Sequence, residues 1–200
     1  MRRAAIDAED RRMVERQREF RRAADVVTDA WMAFPEIDAV AVIGAVAKAL
    51  WKEVPRFSEF RRARVEIWHE CGDLDMAVWI SSQRRLGELR RATDRALRAA
   101  YEAGKGVSVV GHQLDVFLFE PGTDRYLGRL CSFASCPKDK PPCRVPGCGA
   151  IAFNKRVPDF APDPGLLAGV AESTLYRRGA GRLRSALELP DVGGGRDAPA

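Results

Sequence analysis

The stretch GDLDMAVWI, residues 72–80, decides how this chain is read. In an extended strand the side chains alternate, so Asp73 and Asp75 emerge on one face while Leu74, Met76, Val78 and Ile80 bury the other. Two carboxylates at that spacing repel each other. Facing water they cost little, but in a cleft they need a cation or a proton. A third acid, Asp115, opens LDVFLFE (residues 114–120), a second apolar strand. Were the two strands neighbours, about 5 Å apart, Asp115 would complete an all-oxygen site of the kind that hard divalent ions such as Mg²⁺ prefer beside phosphates. Three carboxylates holding two ions about 4 Å apart suit an in-line phosphoryl displacement. Asp115, touching one ion only, is then placed to accept the nucleophile's proton. The plain alternative is a set of strand-end acids facing water.

Upstream lies VAVIGAVAKAL (residues 40–50), which reads as a strand, a tight turn at Gly44 and a helix that Pro55 stops. Further upstream, Ile6, Met13, Phe20, Val27 and Phe34 recur every seven residues, with Ala24 and Trp31 filling the second stripe. That spacing predicts one long helix over 5–33 whose second half packs, while Asp10 and Gln17 leave the first half in water. Downstream, Ser81 and Ser82 offer an N-cap to a helix carrying Leu86, Leu89, Ala96, Leu97 and Tyr101, closed by Gly104. VSVV, GHQ and LDVFLFE then read as a hairpin or bent strand. Strands and helices alternate from 37 to 120, the pattern of a mixed α/β (α+β) sheet with flanking helices.

At this point the chain resembles the DNA polymerase beta-like nucleotidyltransferase superfamily, specifically its small one-domain members. The matching residues are the turn Gly44-Ala45, the acid pair Asp73 and Asp75, and the later Asp115, within about residues 36–120. The resemblance implies a nucleotidyltransferase-like core that binds a nucleoside triphosphate with Mg²⁺ and transfers a nucleoside monophosphate to an acceptor hydroxyl. It implies Asp73, Asp75 and Asp115 as catalytic metal ligands, with Gly44, Ala45 and Lys48 at the phosphates. Gly44 lets the backbone approach, and amides opening the helix point at the anion. Ala45 stands where the family usually has serine, and the arginine-rich RFSEFRRAR (residues 56–64) lengthens the segment before Asp73. Arg56, Arg61 or Arg62 could reach phosphate, or form a solvated face. A catalytically silent nucleotide or nucleic-acid sensor is the rival reading.

Cys131, Cys136, Cys143 and Cys148 form C-x4-C-x6-C-x4-C amid prolines and glycines. Four thiolates suit tetrahedral Zn²⁺, a closed structural site that organises a segment too poor in apolar residues to fold alone. Disulfides are the competing reading, disfavoured in a reducing compartment. The resulting layout is an N-terminal helix at 1–34, a nucleotidyltransferase-like core at 35–125, a Cys-rich zinc-binding module at 126–160, a helical segment at 161–189 and a disordered tail at 190–200.

The 200 residues carry a net charge of +5 with 30% charged residues and no long apolar run, which excludes a membrane-spanning helix and predicts no membrane partner. The charged N-terminus has no apolar core behind it, so a cytoplasmic protein is expected. With two histidines a His-rich hydrolase centre is not expected, and neither a G-x-S-x-G elbow nor a P-loop is present. Cys71 reads as a small strand-edge residue, His112 as the histidine nearer the cleft, and the four tryptophans as core. Acceptor hydroxyls on a small molecule, an RNA end or a protein remain open.

Overall fold

A computed structural model describes residues 3–56, 59–135, 148–156 and 164–192. Its first element is helix α1 (Arg3–Trp31), buried through Met13, Gln17, Phe20, Ala24, Val27 and Trp31 and more open before them. After α1 come β1 (Ile37–Ile43), α2 (Gly44–Ala47), β2 (Lys52–Glu53), α3 (Glu59–Arg62), β3 (Ile67–Trp68) and β4 (Leu74–Ile80). Then follow α4 (Leu86–Glu102), β5 (Leu114–Phe119), β6 (Tyr126–Leu130), β7 (Asn154–Lys155), α5 (Val170–Ser173), β8 (Thr174–Arg177) and β9 (Gly181–Arg182).

Seven strands form one mixed sheet in the order β7-β6-β5-β4-β1-β8-β9, and β2 with β3 forms a small separate pair. β4 runs antiparallel to β1 and parallel to β5. The parallel pair is joined through α4, as a parallel connection requires. On one face, Val40, Val42, Leu74, Met76, Val78, Val116 and Leu118 pack with residues of α1 and α4. Trp31 Nε1 donates to Thr93 Oγ1 at 2.9 Å, tying those two helices together. On the other face Ala39, Ala41, Ile43, Ala77, Trp79, Phe117 and Phe119 make a second, smaller core with Tyr126 and Val170 against it. The face expected to carry acids toward water is therefore apolar along most of its length, with Asp75 and Asp115 only at one end.

Five local expectations differ from the structure. Gln17, expected to leave the first half of α1 in water, is fully buried, and its Nε2 donates to the carbonyls of Ala45 and Lys48. The helix expected from Gly44 to Pro55 stops at Ala47. Side chains of α1 take its carbonyls: Gln17 Nε2 donates to Lys48 O at 2.8 Å, and Arg21 donates to Val46 O at 3.0 Å and Lys48 O at 3.2 Å. Those acceptors are no longer available to continue the helix. Ser81 does not cap α4, because its backbone N–H and its hydroxyl both donate to Glu36 O, extending the end of the β1–β4 ladder. The residues from 107 to 113 form no hairpin; a 3-10 turn (Gly111–Gln113) leads directly into β5. Tyr101 is largely exposed, outside the core face of α4.

Farther along, β6 belongs to the main sheet, although residues 126–130 were expected in a Cys-rich module. The segment at 161–189, expected as helical, is described from 164 and contains the short α5 and two 3-10 turns, but it also supplies β8 and β9, with β8 paired antiparallel to β1. The β-rich TLYR run satisfies the backbone groups that β1 would otherwise leave open at a sheet edge. Residues 189–191 then strap across α1, so the tail expected to be disordered from 190 starts as ordered chain, and its residues 193–200 lie outside the described residues. Arg21, fully buried, donates to the carbonyls of Leu189 at 2.6 Å and Pro190 at 2.8 Å and pairs with Asp191 at 3.0 Å. Among the described residues no helix is long and apolar enough to cross a membrane.

Arg21→Leu removes a charge but strands the carbonyls of Val46, Leu189 and Pro190 and takes a partner from Asp191, while Lys48 O keeps its bond from Gln17. The expected cost is about 3–5 kcal/mol in urea unfolding. A loss below about 1 kcal/mol would show that the strap does not depend on this side chain.

Candidate metal centre

Register brings the three acids together. In the β4–β5 pair Asp75 lies opposite Asp115, and in the β1–β4 pair Ile43 lies opposite Asp75. Asp73 stands one pleat before Asp75, just ahead of β4. One oxygen of each carboxylate lies within 4.8 Å of the others. Asp73 is exposed, whereas Asp75 and Asp115 are half-buried. Oxygen-only donors at such separations suit a hard divalent ion.

Gly44 closes the site from the β1 side. Its φ of +69° is the left-handed region, and a carbon added at its Cβ position would meet Asp75 Oδ2 at 2.7 Å. The bend is thus tight against the carboxyl, so glycine is required both for conformation and for space. Ala45 packs its methyl at the edge of the core, and its carbonyl accepts from Gln17 at 3.4 Å. Lys48 is exposed just beyond α2. With four residues, α2 offers little macrodipole, so the approach of the backbone rather than a helix field is what the turn contributes.

The electrostatics are unbalanced. Burial raises the Asp75 carboxyl, and the charges of Asp73 and Asp115 raise it further, to about 7 from an ordinary 3.8; Arg129 acts in the opposite direction. Arg129, from β6, is the residue that the sequence reading missed. Its Nη1 lies 2.9 Å from Asp115 Oδ2, and its guanidinium sits 4.3 Å from the centre of the Phe117 ring. A lone arginine in the apolar run YLGRL was the available signal, but nothing local placed β6 beside β5. Three acids against one guanidinium leave negative charge that a divalent ion would balance, so the donor set fits the metal.

A cavity of about 550 Å³ adjoins the bend, lined by Ile43, Gly44, Lys48, Glu172 and Pro190 among others. That volume falls within the range of small-molecule sites.

Other candidates resolve differently. His112 is exposed on the turn before β5. His69 stacks on Trp51 with centroids 4.0 Å apart and pairs with Glu53 at 2.9 Å. Cys71 is buried, and burial pushes its thiol up to about 11, which removes it as a nucleophile. Arg56, Arg61 and Arg62 are exposed, and Arg61 donates to Arg56 O at 2.7 Å. Cys131 and Cys148 are half-buried free thiols, while Cys136 and Cys143 lie outside the described residues, so the zinc set rests on its spacing alone. Trp31 and Trp79 are core; Trp51 and Trp68 are half-buried. No protein-family model, curated protein or solved structure matches the chain.

Two outcomes follow from this geometry. Between pH 4 and 7 the unfolded chain releases the Asp75 proton that the folded chain keeps, so in chelator the native state loses stability as pH rises through that window. Asp75→Asn abolishes this loss. The variant and the parent melt together near pH 4, and above pH 7 the variant is more stable by about 2–4 kcal/mol. Equal melting at pH 8 would remove the strained-carboxyl description. Separately, Gly44→Ala is more destabilising than Gly104→Ala. Both positions have φ near +65°, but only Gly44 adds the collision with Asp75, whereas Gly104 faces open space. Equal losses in thermal melts would contradict the close approach.

Proposed function

We propose that this protein is a divalent-metal-dependent nucleotidyltransferase that moves a nucleoside monophosphate from a nucleoside triphosphate to an acceptor hydroxyl. The observation carrying this reading is the convergence of Asp73, Asp75 and Asp115 to within 4.8 Å beside a glycine bend. When bound, Mg²⁺ supplies charge neutralisation on the triphosphate and acidifies the attacking hydroxyl. Asp73, Asp75 and Asp115 hold it, and Asp115 takes the hydroxyl proton. Gly44 lets backbone amides approach the phosphates, Lys48 adds a positive charge at the cavity rim, and the cavity beside the bend receives the nucleoside. In the same reading Cys131, Cys136, Cys143 and Cys148 hold a structural Zn²⁺, which metal analysis of the reduced protein would detect in a 1:1 ratio.

Ala45 favours a second reading, a silent nucleotide-binding or nucleic-acid-binding sensor, because the bend offers no hydroxyl to the triphosphate. Incubating the protein with the four labelled nucleoside triphosphates together with hydroxyl acceptors of each class (small-molecule polyols, RNA and protein), with and without Mg²⁺, separates the two. The enzyme releases pyrophosphate only with the metal, and Asp75→Ala and Asp73→Asn each lower the rate at least about a hundredfold while the fold persists. Triphosphate binding that ignores Mg²⁺ and never releases pyrophosphate supports the sensor and refutes the enzyme.

A further inference from the structure

The guanidinium of Arg129 occupies the position where the acid trio is short of positive charge. It contacts Asp115 Oδ2 at 2.9 Å, and its own side chain is only 19% exposed. A second contact holds it besides Asp115: the guanidinium packs over the Phe117 ring at 4.3 Å. Phe117 follows Asp115 by two residues on the same face of β5 and pairs in register with Arg129 itself. The guanidinium therefore lies on an aromatic ring beside the acids, with one N–H directed at a carboxylate oxygen. Such a cation lowers the repulsion among the three acids when no metal is bound, and it competes with a metal for the same oxygen.

We propose that Arg129 is a built-in counter-ion of this centre: it neutralises Asp115 in the metal-free protein, yields that oxygen to an incoming divalent cation, and stays seated on the Phe117 ring facing the phosphates that arrive with it. This inference rests on the metal-centre reading of the trio. Arg129 acts on the metal through Asp115 and on the phosphates directly. No covalent bond changes; the Arg129–Asp115 ion pair is exchanged for a metal–carboxylate contact. The arrangement couples metal and substrate. The cation that leaves Asp115 becomes the one that meets the triphosphate, so each ligand favours the other.

The test uses the full chain and Mn²⁺ alone, titrated calorimetrically at pH 7.5 into wild type, Arg129→Gln and Arg129→Lys, with melting temperatures recorded in chelator and in saturating Mn²⁺. Arg129→Gln is expected to bind Mn²⁺ about tenfold tighter, since a competing positive charge has gone. It melts lower than wild type in chelator, and saturating Mn²⁺ closes most of that gap. Arg129→Lys keeps the charge and binds with near-wild-type affinity. Unchanged or weaker Mn²⁺ binding by Arg129→Gln, with wild type binding normally, overturns the counter-ion role and leaves the metal centre standing. Failure of wild type to bind Mn²⁺ overturns both. A merely structural arginine would lower the melting temperature equally with and without metal and would not raise affinity. Should Arg129→Gln fail to fold, Phe117→Leu removes the ring beneath the guanidinium while keeping the guanidinium. Wild-type Mn²⁺ affinity with unchanged affinity for inorganic triphosphate in that variant also overturns the proposal.

Discussion

The register between two parallel strands is the constraint on which the candidate site depends. β4 and β5 align Asp75 with Asp115 because Leu74, Met76 and Val78 on one strand and Leu114, Val116 and Leu118 on the other share the face buried under α1 and α4. Sliding either strand by one residue would turn its acid into that core and its apolar residues out of it. Hydrophobic burial thereby does electrostatic work. It holds like charges within a few ångströms of each other, an arrangement that the carboxylates alone would oppose. The antiparallel partner β1, ending opposite Asp75, delivers the Gly44 bend to the same spot.

The second face shows how that repulsion is contained. Beyond the acids, Ala77, Trp79, Phe117 and Phe119 close it with a small aromatic core, Trp79 stacking on Phe119 at 5.6 Å. The acids are confined to one rim, where solvent and a mobile cation can reach them. Arg129 enters from β6 across that aromatic layer, so the same rings that exclude water from the sheet also fix the only described guanidinium paired with the trio. The charge balance of the acids and the packing of the sheet meet in one side chain.

α1 governs the other side of the site. Gln17 and Arg21 reach into the residues after the bend, cap the short α2 and bind the 189–191 strap, while Asp25 accepts from Ser185, Ala186 and Arg182. A helix that sequence periodicity marks only as a packing element therefore also sets the shape of the bend and one wall of the adjoining cavity, where Pro190 lies.

Alternation in LDMAVWI and LDVFLF determined by itself which way the acids point, and the seven-residue spacing of Met13, Phe20 and Val27 determined the packed half of α1, because both patterns are local and periodic. The mixed sheet was legible for the same reason. The tertiary structure alone decided that α2 ends at Ala47, that TLYR becomes a strand on β1 and that Arg129 faces Asp115. Those outcomes depend on partners far apart in sequence, 25 residues for Arg21 with Val46 and 168 for Arg21 with Leu189. Interactions of that separation leave no local period in the chain. Local propensity yields to them whenever a buried charge must find its acceptors.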